Sequence, residues 1–337
     1  MFKKAVLIIL ALIFVSGLFT ACSSGTTTAP VTTKPVTTTQ APAATTTSAP
    51  TTAAPTTTTP PPASVTITDQ YNRTVTVKAY PQRIISLSPA HTEILFALGL
   101  GDRIVGVSDY SDYPEAATKK ENVGSYDSPN IEKIISLNPD LVMATEEHQE
   151  AVEQLTKYKI PVVALNPKSV KEVLNTVNLI GKVTGTDKEA AALAGDMQSR
   201  MDKITAMTTN LRDYERPRVL VVIWHEPIFT VGAGTFHDEL IQMAGGVNIA
   251  HYLSGYPIIS LETIIADNPQ IIIAGVGMGT GMDASLQAML TEPRLALTDA
   301  RLNNWVYGAN MDIISRPGPR LVEALEILFK LIHPELQ

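Results

Sequence analysis

The segment Ile131–Ala144, with the sequence IEKIISLNPDLVMA, occurs a second time as LETIIADNPQIIIA at Leu261–Ala274. Six positions are identical at a constant offset of 130 residues. In each copy the pattern predicts a helix that begins near a glutamate, ends near Asn-Pro and leads into an apolar strand. A solenoid would need more and shorter repeats. The repeat therefore predicts two similar lobes, and ligands commonly bind between lobes.

Short apolar runs elsewhere in the chain predict buried strands. They lie at residues 83–87, 104–107, 141–144, 161–165 and 218–224. Runs of this kind suit strands that helices cover on both faces, so we expect an α/β fold in which each lobe is a mainly parallel sheet with flanking helices. An alternating segment at residues 65–77 predicts a β-hairpin at the start of the first lobe.

One long helix is predicted to join the two lobes. An apolar stripe extends from Thr186 to about Leu211, and Thr186 with Glu189 forms a capping-box pattern. We therefore expect three parts in the folded chain, which are an N-terminal lobe over 64–180, a connecting helix over 181–214 and a C-terminal lobe over 215–337.

Residues 1–21 have the layout of a secretory signal peptide. Lys3 and Lys4 precede a short apolar run, and Cys22, the only cysteine of the chain, follows Ala21. The segment resembles a bacterial lipoprotein signal, so we expect Cys22 to become the lipidated N-terminus of the mature protein. Acylation would anchor the protein to the cell membrane, facing the periplasm or the outside. The alternative is an ordinary secreted protein with an incidental cysteine.

Residues 22–63 are predicted to form a disordered stalk. Thr, Pro and Ala occupy 33 of the 38 positions from 26 to 63. Such a composition cannot bury a core, so the segment should stay extended and solvated. The stalk would hold the folded body away from the membrane.

Charge and cysteine content exclude several classes of protein. The net charge is −7, and Lys3, Lys4 and Lys34 are the only charges before Ser64, so the rest of the chain carries −10. This balance argues against a nucleic-acid partner, which needs a basic face. A single cysteine excludes a disulfide framework within the chain and a site with several cysteine ligands.

Ligands of open parallel sheets bind beyond the carboxyl ends of the strands. The residues that follow strands or could approach this region are His91, Tyr110, Tyr126, Trp224, Phe229, Tyr256, Asp312 and Arg316. The set is rich in aromatic residues and poor in cations, which suits a large, flat, partly apolar ligand better than a polyanion. The alternatives are core packing for the aromatic residues, a helix cap for His91, and a surface ion pair between Asp312 and Arg316.

The segments 83–93, 105–114 and 138–142 resemble the helix-backbone class of substrate-binding proteins of ABC importers. Members of this class serve cobalamin, ferric siderophores and haem. The resemblance extends from about Ser64 to the C-terminus. It implies two lobes joined by a rigid helix, with only modest closure on the ligand.

Within this class the sequence is most similar to the cobalamin-binding proteins. Tyr110 and Phe229 match aromatic residues that contact the corrin, and Tyr126 stands where those proteins carry a tryptophan. Asp312 and Arg316 match residues that bind corrin amides. The resemblance therefore implies a corrinoid held between aromatic side chains, with polar contacts at its edge.

The resemblance also implies a partner and a departure from the class. Glu132 and Glu262 match glutamates at the lobe tips that dock onto arginines of the permease, and the internal repeat places them at equivalent positions. His91 stands where a small amide is expected. A neutral histidine there could be an axial ligand of bound cobalt or iron.

We therefore expect a monomeric extracytoplasmic lipoprotein that binds cobalamin as cargo, without catalysis and without a resident cofactor or metal. A ferric-siderophore or haem-binding protein of the same fold is the alternative. A zinc or manganese carrier is disfavoured because the histidines are scattered. An enzyme is disfavoured because the chain has no Gly-x-Ser-x-Gly motif and no cysteine beyond the leader.

Overall fold

The computed structural model describes residues 63–277 and 283–336. The leader 1–21, the lipidation site Cys22 and the stalk up to residue 62 lie outside the described residues, so the expectations for them stay predictions. The described part has the α/β architecture expected from the sequence, with one sheet and its helices in each half of the chain. The exact lobe boundaries also stay a prediction.

The N-terminal lobe contains a fully parallel sheet. It follows the predicted antiparallel hairpin of β1 (Ser64–Thr68) and β2 (Thr74–Lys78). The strand order is β4-β3-β5-β6, and every residue of β3, β5 and β6 is buried. The strands are β3 (Ile84–Ser86), β4 (Ile104–Val107), β5 (Leu141–Ala144) and β6 (Val162–Ala164), and the helices are α1 (Pro89–Ala97), α2 (Ile131–Ser136), α3 (Gln149–Lys157) and α4 (Val170–Thr184).

The turn of the hairpin covers the free edge of β6. The Ala164 N–H donates to the Asp69 carboxylate at 3.3 Å, and the Gln70 N–H donates to the Ala164 carbonyl at 3.3 Å. Arg73 Nη2 donates to the Val162 carbonyl at 3.2 Å. These contacts satisfy backbone groups that an open sheet edge would present to other chains.

The helix between the lobes, α5 (Asp187–Thr208), is shorter than the predicted segment 181–214. Its 22 residues make it about 33 Å long. α4 reaches Thr184 and is ended by Gly185, which adopts a left-handed φ of +73°. The predicted capping box at Thr186 is wrong, because the Thr186 hydroxyl makes no cap bond and lies 2.9 Å from the Thr184 hydroxyl instead.

The C-terminal lobe is built on a mixed sheet of order β11-β10-β7-β8, with β9 beside the start of β7. Only β8 is antiparallel to its neighbour. The strands are β7 (Arg218–His225), β8 (Ile228–Thr230), β9 (Val247–Asn248), β10 (Ile271–Val276) and β11 (Val306–Asn310), and the helices are α6 (Phe236–Met243), α7 (Leu261–Asp267), α8 (Asp283–Thr291), α9 (Asp299–Leu302), α10 (Met311–Ile314) and α11 (Leu321–Ile332).

The internal repeat is confirmed in its helix, its strand and the turn between them. Each copy is a short helix followed by a strand, α2 with β5 and α7 with β10. Asn138 and Asn268 follow the two helices and share a left-handed φ of 44°. Arg83 donates to the Asn138 carbonyl at 3.1 Å, and Arg218 donates to the Asn268 carbonyl at 3.0 Å. The same arginine contact therefore fixes the helix end beside the first strand of each sheet.

One apolar core extends through both lobes. It combines buried side chains of the first sheet and α1, of α5, and of the second sheet and α11. Ile84, Met201 and Val221 represent these three parts. Arg200 of α5 also binds Glu326 of α11, with Nη2 and Oε1 2.8 Å apart. A shared core of this kind resists separation of the lobes, since moving them apart would expose apolar surface.

Candidate ligand-binding cleft

The candidate residues lie on loops, strand ends and the first turns of helices in both lobes. Tyr110 and Tyr126 follow β4 in the N-terminal lobe, and Trp224 and Phe229 lie where β7 and β8 meet in the other lobe. Tyr110 accepts a hydrogen bond from Arg316 of the opposite lobe. The structure therefore brings the two sets of loops together, as expected for the carboxyl ends of parallel strands.

Tyr110 is the most exposed aromatic residue of this group. Its side chain is 67% exposed, and its backbone has a left-handed φ of +64°. This conformation is uncommon for a bulky residue and is strained. The N–H of Asp109 donates to the Gly124 carbonyl at 3.0 Å, and Arg316 Nη2 donates to the Tyr110 carbonyl at 3.0 Å. These contacts hold the strained residue from both sides.

Tyr126 is tied into a polar cluster of the N-terminal lobe. Its hydroxyl donates to Glu147 Oε2 at 3.0 Å and lies 3.1 Å from the Thr145 hydroxyl. Its ring meets His148 edge-on at 5.0 Å, and His148 Nε2 lies 2.7 Å from the Tyr126 carbonyl. Burial raises the pKa of Tyr126, so the phenol stays protonated and keeps donating to the carboxylate.

Glu147 remains an anion within this cluster. Burial opposes its charge, but hydrogen bonds from Thr145, from its own backbone and from Tyr126 lower its pKa below the usual value. Glu147 follows β5 in the chain and is not among the eight residues predicted from the sequence to contact the ligand. The structure makes it a fixed negative charge beside Tyr126.

His91 is not presented to solvent. It lies in the first turn of α1, is 2% exposed, and its Nδ1 has no hydrogen-bond partner among the described residues. Burial lowers its pKa to about 4, and the nearby His148 acts in the same direction. The ring is therefore neutral at neutral pH, as a metal ligand requires. A metal in the cleft would reach Nδ1 only after the ring moved.

The C-terminal lobe contributes three aromatic residues. Trp224 and Phe229 are opposite each other in the β7–β8 pair, and Trp224 is 46% exposed with Nε1 bonded to the Glu226 carbonyl at 2.9 Å. Tyr256 is 45% exposed, and its hydroxyl lies 3.4 Å from Nδ1 of the buried His237. Burial raises the pKa of Tyr256 to about 12, helped by the charge of Glu147 in the other lobe. Tyr256 and Glu147 therefore act on each other across the cleft.

Asp312 and Arg316 form an ion pair of 2.6 Å, but it is not the plain surface pair considered above. Their side chains are 18% and 10% exposed, and Arg316 also donates to Glu93 at 3.1 Å and Asp112 at 2.7 Å. Arg320 adds two bonds to Glu93, at 2.9 and 2.7 Å. The two arginines of the C-terminal lobe thus bind carboxylates of the N-terminal lobe. Sequence reasoning missed Glu93, Asp112 and Arg320.

A second short repeat could have pointed to Glu93. The sequence HTEIL at 91–95 in α1 corresponds to HDELI at 237–241 in α6. Both glutamates bond to the opposite lobe, since Glu93 accepts from Arg316 and Glu239 Oε2 accepts a hydrogen bond of 2.7 Å from the Val170 N–H at the start of α4. The repeat is only five residues long, and its offset of 146 residues differs from the 130 of the longer repeat, so it is easily overlooked.

Glu132 and Glu262 are exposed residues in the first turns of α2 and α7. Arg294 Nη1 lies 3.8 Å from Glu262 Oε1. The backbone at the helix start, followed by Ser260 and Arg294, lowers the pKa of Glu262. Both carboxylates are therefore available at a surface, although their surroundings differ.

The cavities of the described residues lie mostly elsewhere. A cavity of about 800 Å³ between the hairpin and α3 is lined by none of the eight candidate ligand residues. A depression of about 220 Å³ includes Tyr110 and Asp112. Within residues 63–277 and 283–336, no three metal-ligating side chains cluster, and no helix has the length and apolarity to span a bilayer.

The comparisons with known proteins agree with this architecture. A sequence model of the family described as periplasmic binding protein matches residues 84–312. An uncharacterized ABC transporter substrate-binding lipoprotein of Bacillus subtilis, YvrC, is 34% identical over 80% of this chain and 86% of its own length. A vitamin B12-binding protein of Pectobacterium carotovorum is 32% identical over 74% of this chain and 87% of its own length.

A solved structure extends the comparison to another ligand. The periplasmic haem-binding protein RhuT from Roseiflexus, in its apo form, is 25% identical, with a TM-score of 0.68 over 76% of this chain and 99% of its own. These homologues are binding proteins for transport and not enzymes. The chain thus belongs to the periplasmic binding protein family, as the substrate-binding protein of an ABC importer of the type that serves vitamin B12, siderophores and haem.

Proposed function

We propose that the cargo of this protein is a corrinoid, with cobalamin as the first candidate. The observation that carries this proposal is the set of exposed aromatic side chains on both lobes, Tyr110 on one and Trp224 and Tyr256 on the other. Together with Phe229 and Tyr126 they offer apolar faces to a flat macrocycle. The vitamin B12-binding relative supports the same choice.

The charges of the cleft favour a ligand without strong negative charge. Arg316 and Arg320 are both bound to Glu93, and Glu147 adds a negative charge near Tyr126 and Tyr256, which Thr145, Tyr126 and the charge of Lys168 stabilise. A polyanion would meet this carboxylate, while both of these guanidiniums are already bound to Glu93. The amide-rich edge of a corrinoid can instead donate to Glu147 and Asp312, and its body can pack on the aromatic rings.

Delivery of the cargo to the permease would use one surface at the tip of each lobe. We infer that Glu132 and Glu262 dock onto arginines of the permease, with one glutamate for each half of the transporter. Cys22 would carry the lipid anchor, and the stalk 22–63 would let a monomeric body reach the permease from that anchor. The position of Cys22 in the sequence and the lipoprotein name of YvrC support the anchor.

A titration tests the cargo. The purified protein is mixed with cyanocobalamin, cobinamide, haemin and a ferric siderophore, while tryptophan fluorescence and the visible spectrum are followed. We expect sub-micromolar binding of cyanocobalamin or cobinamide with quenching of Trp224. No corrinoid binding at micromolar concentration would reject the corrinoid proposal.

Haem is the second candidate, and two observations favour it. Tyr110 presents a hydroxyl from an exposed loop, and His91 is a neutral imidazole without a partner for Nδ1. Either side chain is of a type that ligates haem iron. The haem-binding structural relative agrees with this candidate. A shift of the Soret band on addition of haemin, lost in Tyr110→Phe or His91→Ala, would select it.

A further inference from the structure

Arg316 uses almost all of its hydrogen-bond donors within the protein. Nη1 donates to Glu93 at 3.1 Å and Asp112 at 2.7 Å, and Nη2 donates to the Tyr110 carbonyl at 3.0 Å and Asp312 at 2.6 Å. A guanidinium has five N–H groups, so four are occupied and only the Nε group is left. A ligand amide would have to displace a protein acceptor to bind Arg316 through Nη1 or Nη2.

Tyr110 is the acceptor that connects Arg316 with the cleft. Its left-handed backbone, with a φ of +64°, is strained and persists only when neighbouring groups hold it. The ring is 67% exposed, so packing does not fix it. The hydrogen bond from Arg316 to the Tyr110 carbonyl is charge-assisted and stronger than a neutral one. This bond crosses from the C-terminal lobe to the N-terminal lobe.

We propose that Arg316 is a positioning residue that affects ligand binding through Tyr110 and does not contact the ligand. By holding the Tyr110 carbonyl from the opposite lobe, Arg316 fixes the direction in which the aromatic ring enters the cleft. The position of this ring then depends on how the two lobes are placed relative to each other. The proposal rests on the proposed function, because it takes Tyr110 as a ligand contact.

Arg320 provides a matched control. It binds Glu93 across the lobes as Arg316 does, and it lies over the ring of Tyr113 at 4.2 Å, but within the described part of the chain its side-chain hydrogen bonds go to Glu93 and to the Asp312 carbonyl and not to the Tyr110 carbonyl. Arg316→Gln and Arg320→Gln therefore both weaken the cross-lobe network, and only the first releases Tyr110. We expect Arg316→Gln to weaken cyanocobalamin binding about tenfold and Arg320→Gln to weaken it less than about twofold.

A double-mutant cycle separates the indirect role from a direct one. In a Tyr110→Ala background, Arg316→Gln should change the affinity less than about twofold, because the residue through which it acts is gone. The same tenfold loss in both backgrounds would show direct contact with the ligand and overturn the proposal. If Arg316→Gln folds poorly, Arg316→Lys takes its place, because it keeps a cation beside Glu93. We expect Arg316→Lys also to weaken binding.

A measurement without ligand makes the two proposals separable. Tyr113 packs under Arg320 and Asp112 binds Arg316 directly, so exchange is read in residues 108–111. We expect amide hydrogen exchange there to be faster in Arg316→Gln than in the wild-type protein, and unchanged in Arg320→Gln. Unchanged exchange in Arg316→Gln overturns the positioning role whatever the ligand is. If exchange rises as expected but the wild-type protein binds neither cyanocobalamin nor haemin, the proposed cargo is rejected and the anchoring of Tyr110 stands.

Discussion

The two lobes carry the same short motif in the first helix after their first strand, and they use it differently. In α1, Glu93 is 3% exposed, and its carboxylate forms ion pairs with two arginines of the opposite lobe. In α6, Glu239 receives one backbone N–H, that of Val170 at the start of α4. One contact is a buried network of full charges, and the other is a carboxylate at a helix N-terminus. The same motif therefore joins the lobes through interactions of unequal strength.

The largest effect is expected at Glu93. Glu93→Ala leaves Arg316 and Arg320 in a partly buried site without their shared carboxylate. Loss of one partner from a buried ion pair is strongly destabilising, and we expect a loss of about 3 kcal/mol in the free energy of unfolding. Urea unfolding, followed by circular dichroism, measures it. A loss below that of Glu239→Ala would contradict the comparison between the lobes.

The paired histidines of the motif should make the protein sensitive to acid. Burial lowers the pKa of His91 to about 4 and that of His237 to about 3. Because both values lie below the ordinary value near 6.5, the unfolded chain binds more protons, and stability falls as the pH drops from about 6.5 toward these values. At pH 5 each histidine should lower the free energy of unfolding by about 2 kcal/mol relative to neutral pH.

Unfolding at pH 7 and pH 5 tests this expectation. His91→Phe and His237→Phe should each reduce the difference in stability between the two pH values, and the double variant should reduce it further. Because many carboxylates titrate at lower pH, the comparison should not extend below pH 5. An unchanged pH dependence in both single variants would show that neither ring is held neutral by burial.

A smaller loss is expected at Glu239. Glu239→Ala removes a charge-assisted hydrogen bond to Val170 and a favourable interaction with the N-terminus of α4. We expect a loss of about 1.5 kcal/mol in the free energy of unfolding. Glu239→Gln is the matched control, because its amide oxygen can still accept from the Val170 N–H. A larger loss in Glu239→Gln than in Glu239→Ala would be inconsistent with this role.

The smallest effect concerns the two proposed docking residues. Arg294 lies 3.8 Å from Glu262, whereas Glu132 has no ion pair within the described residues. A permease arginine must compete with Arg294 in one lobe only, so we expect Glu132→Ala to reduce cobalamin uptake a few-fold more than Glu262→Ala. Uptake of labelled cobalamin in cells with the cognate permease measures this difference. Arg294→Ala should then bring the two glutamates closer in effect.

The parts of the fold that could be predicted from the sequence are those that depend on residues close together along the chain. The strands, the hairpin and the repeat at Ile131 and Leu261 follow from local apolar patterns, and all are found in the structure. The contact between Glu93 and Arg316 joins residues 223 positions apart, and no local pattern specifies such a pair. The burial of His91 likewise depends on distant packing. Of the residues that join the lobes through charged contacts, sequence reasoning therefore identified Arg316 but missed Glu93, Asp112 and Arg320.

The hairpin turn also has a consequence for the order in which the chain is made. Asp69 binds the Ala164 N–H of β6, which is synthesised 95 residues later. Because ribosomes make the N-terminus first, the covering turn already exists when the edge strand emerges. The β6 edge is thus covered by its own chain as soon as β6 joins the sheet, which keeps a neighbouring nascent chain from pairing with this strand.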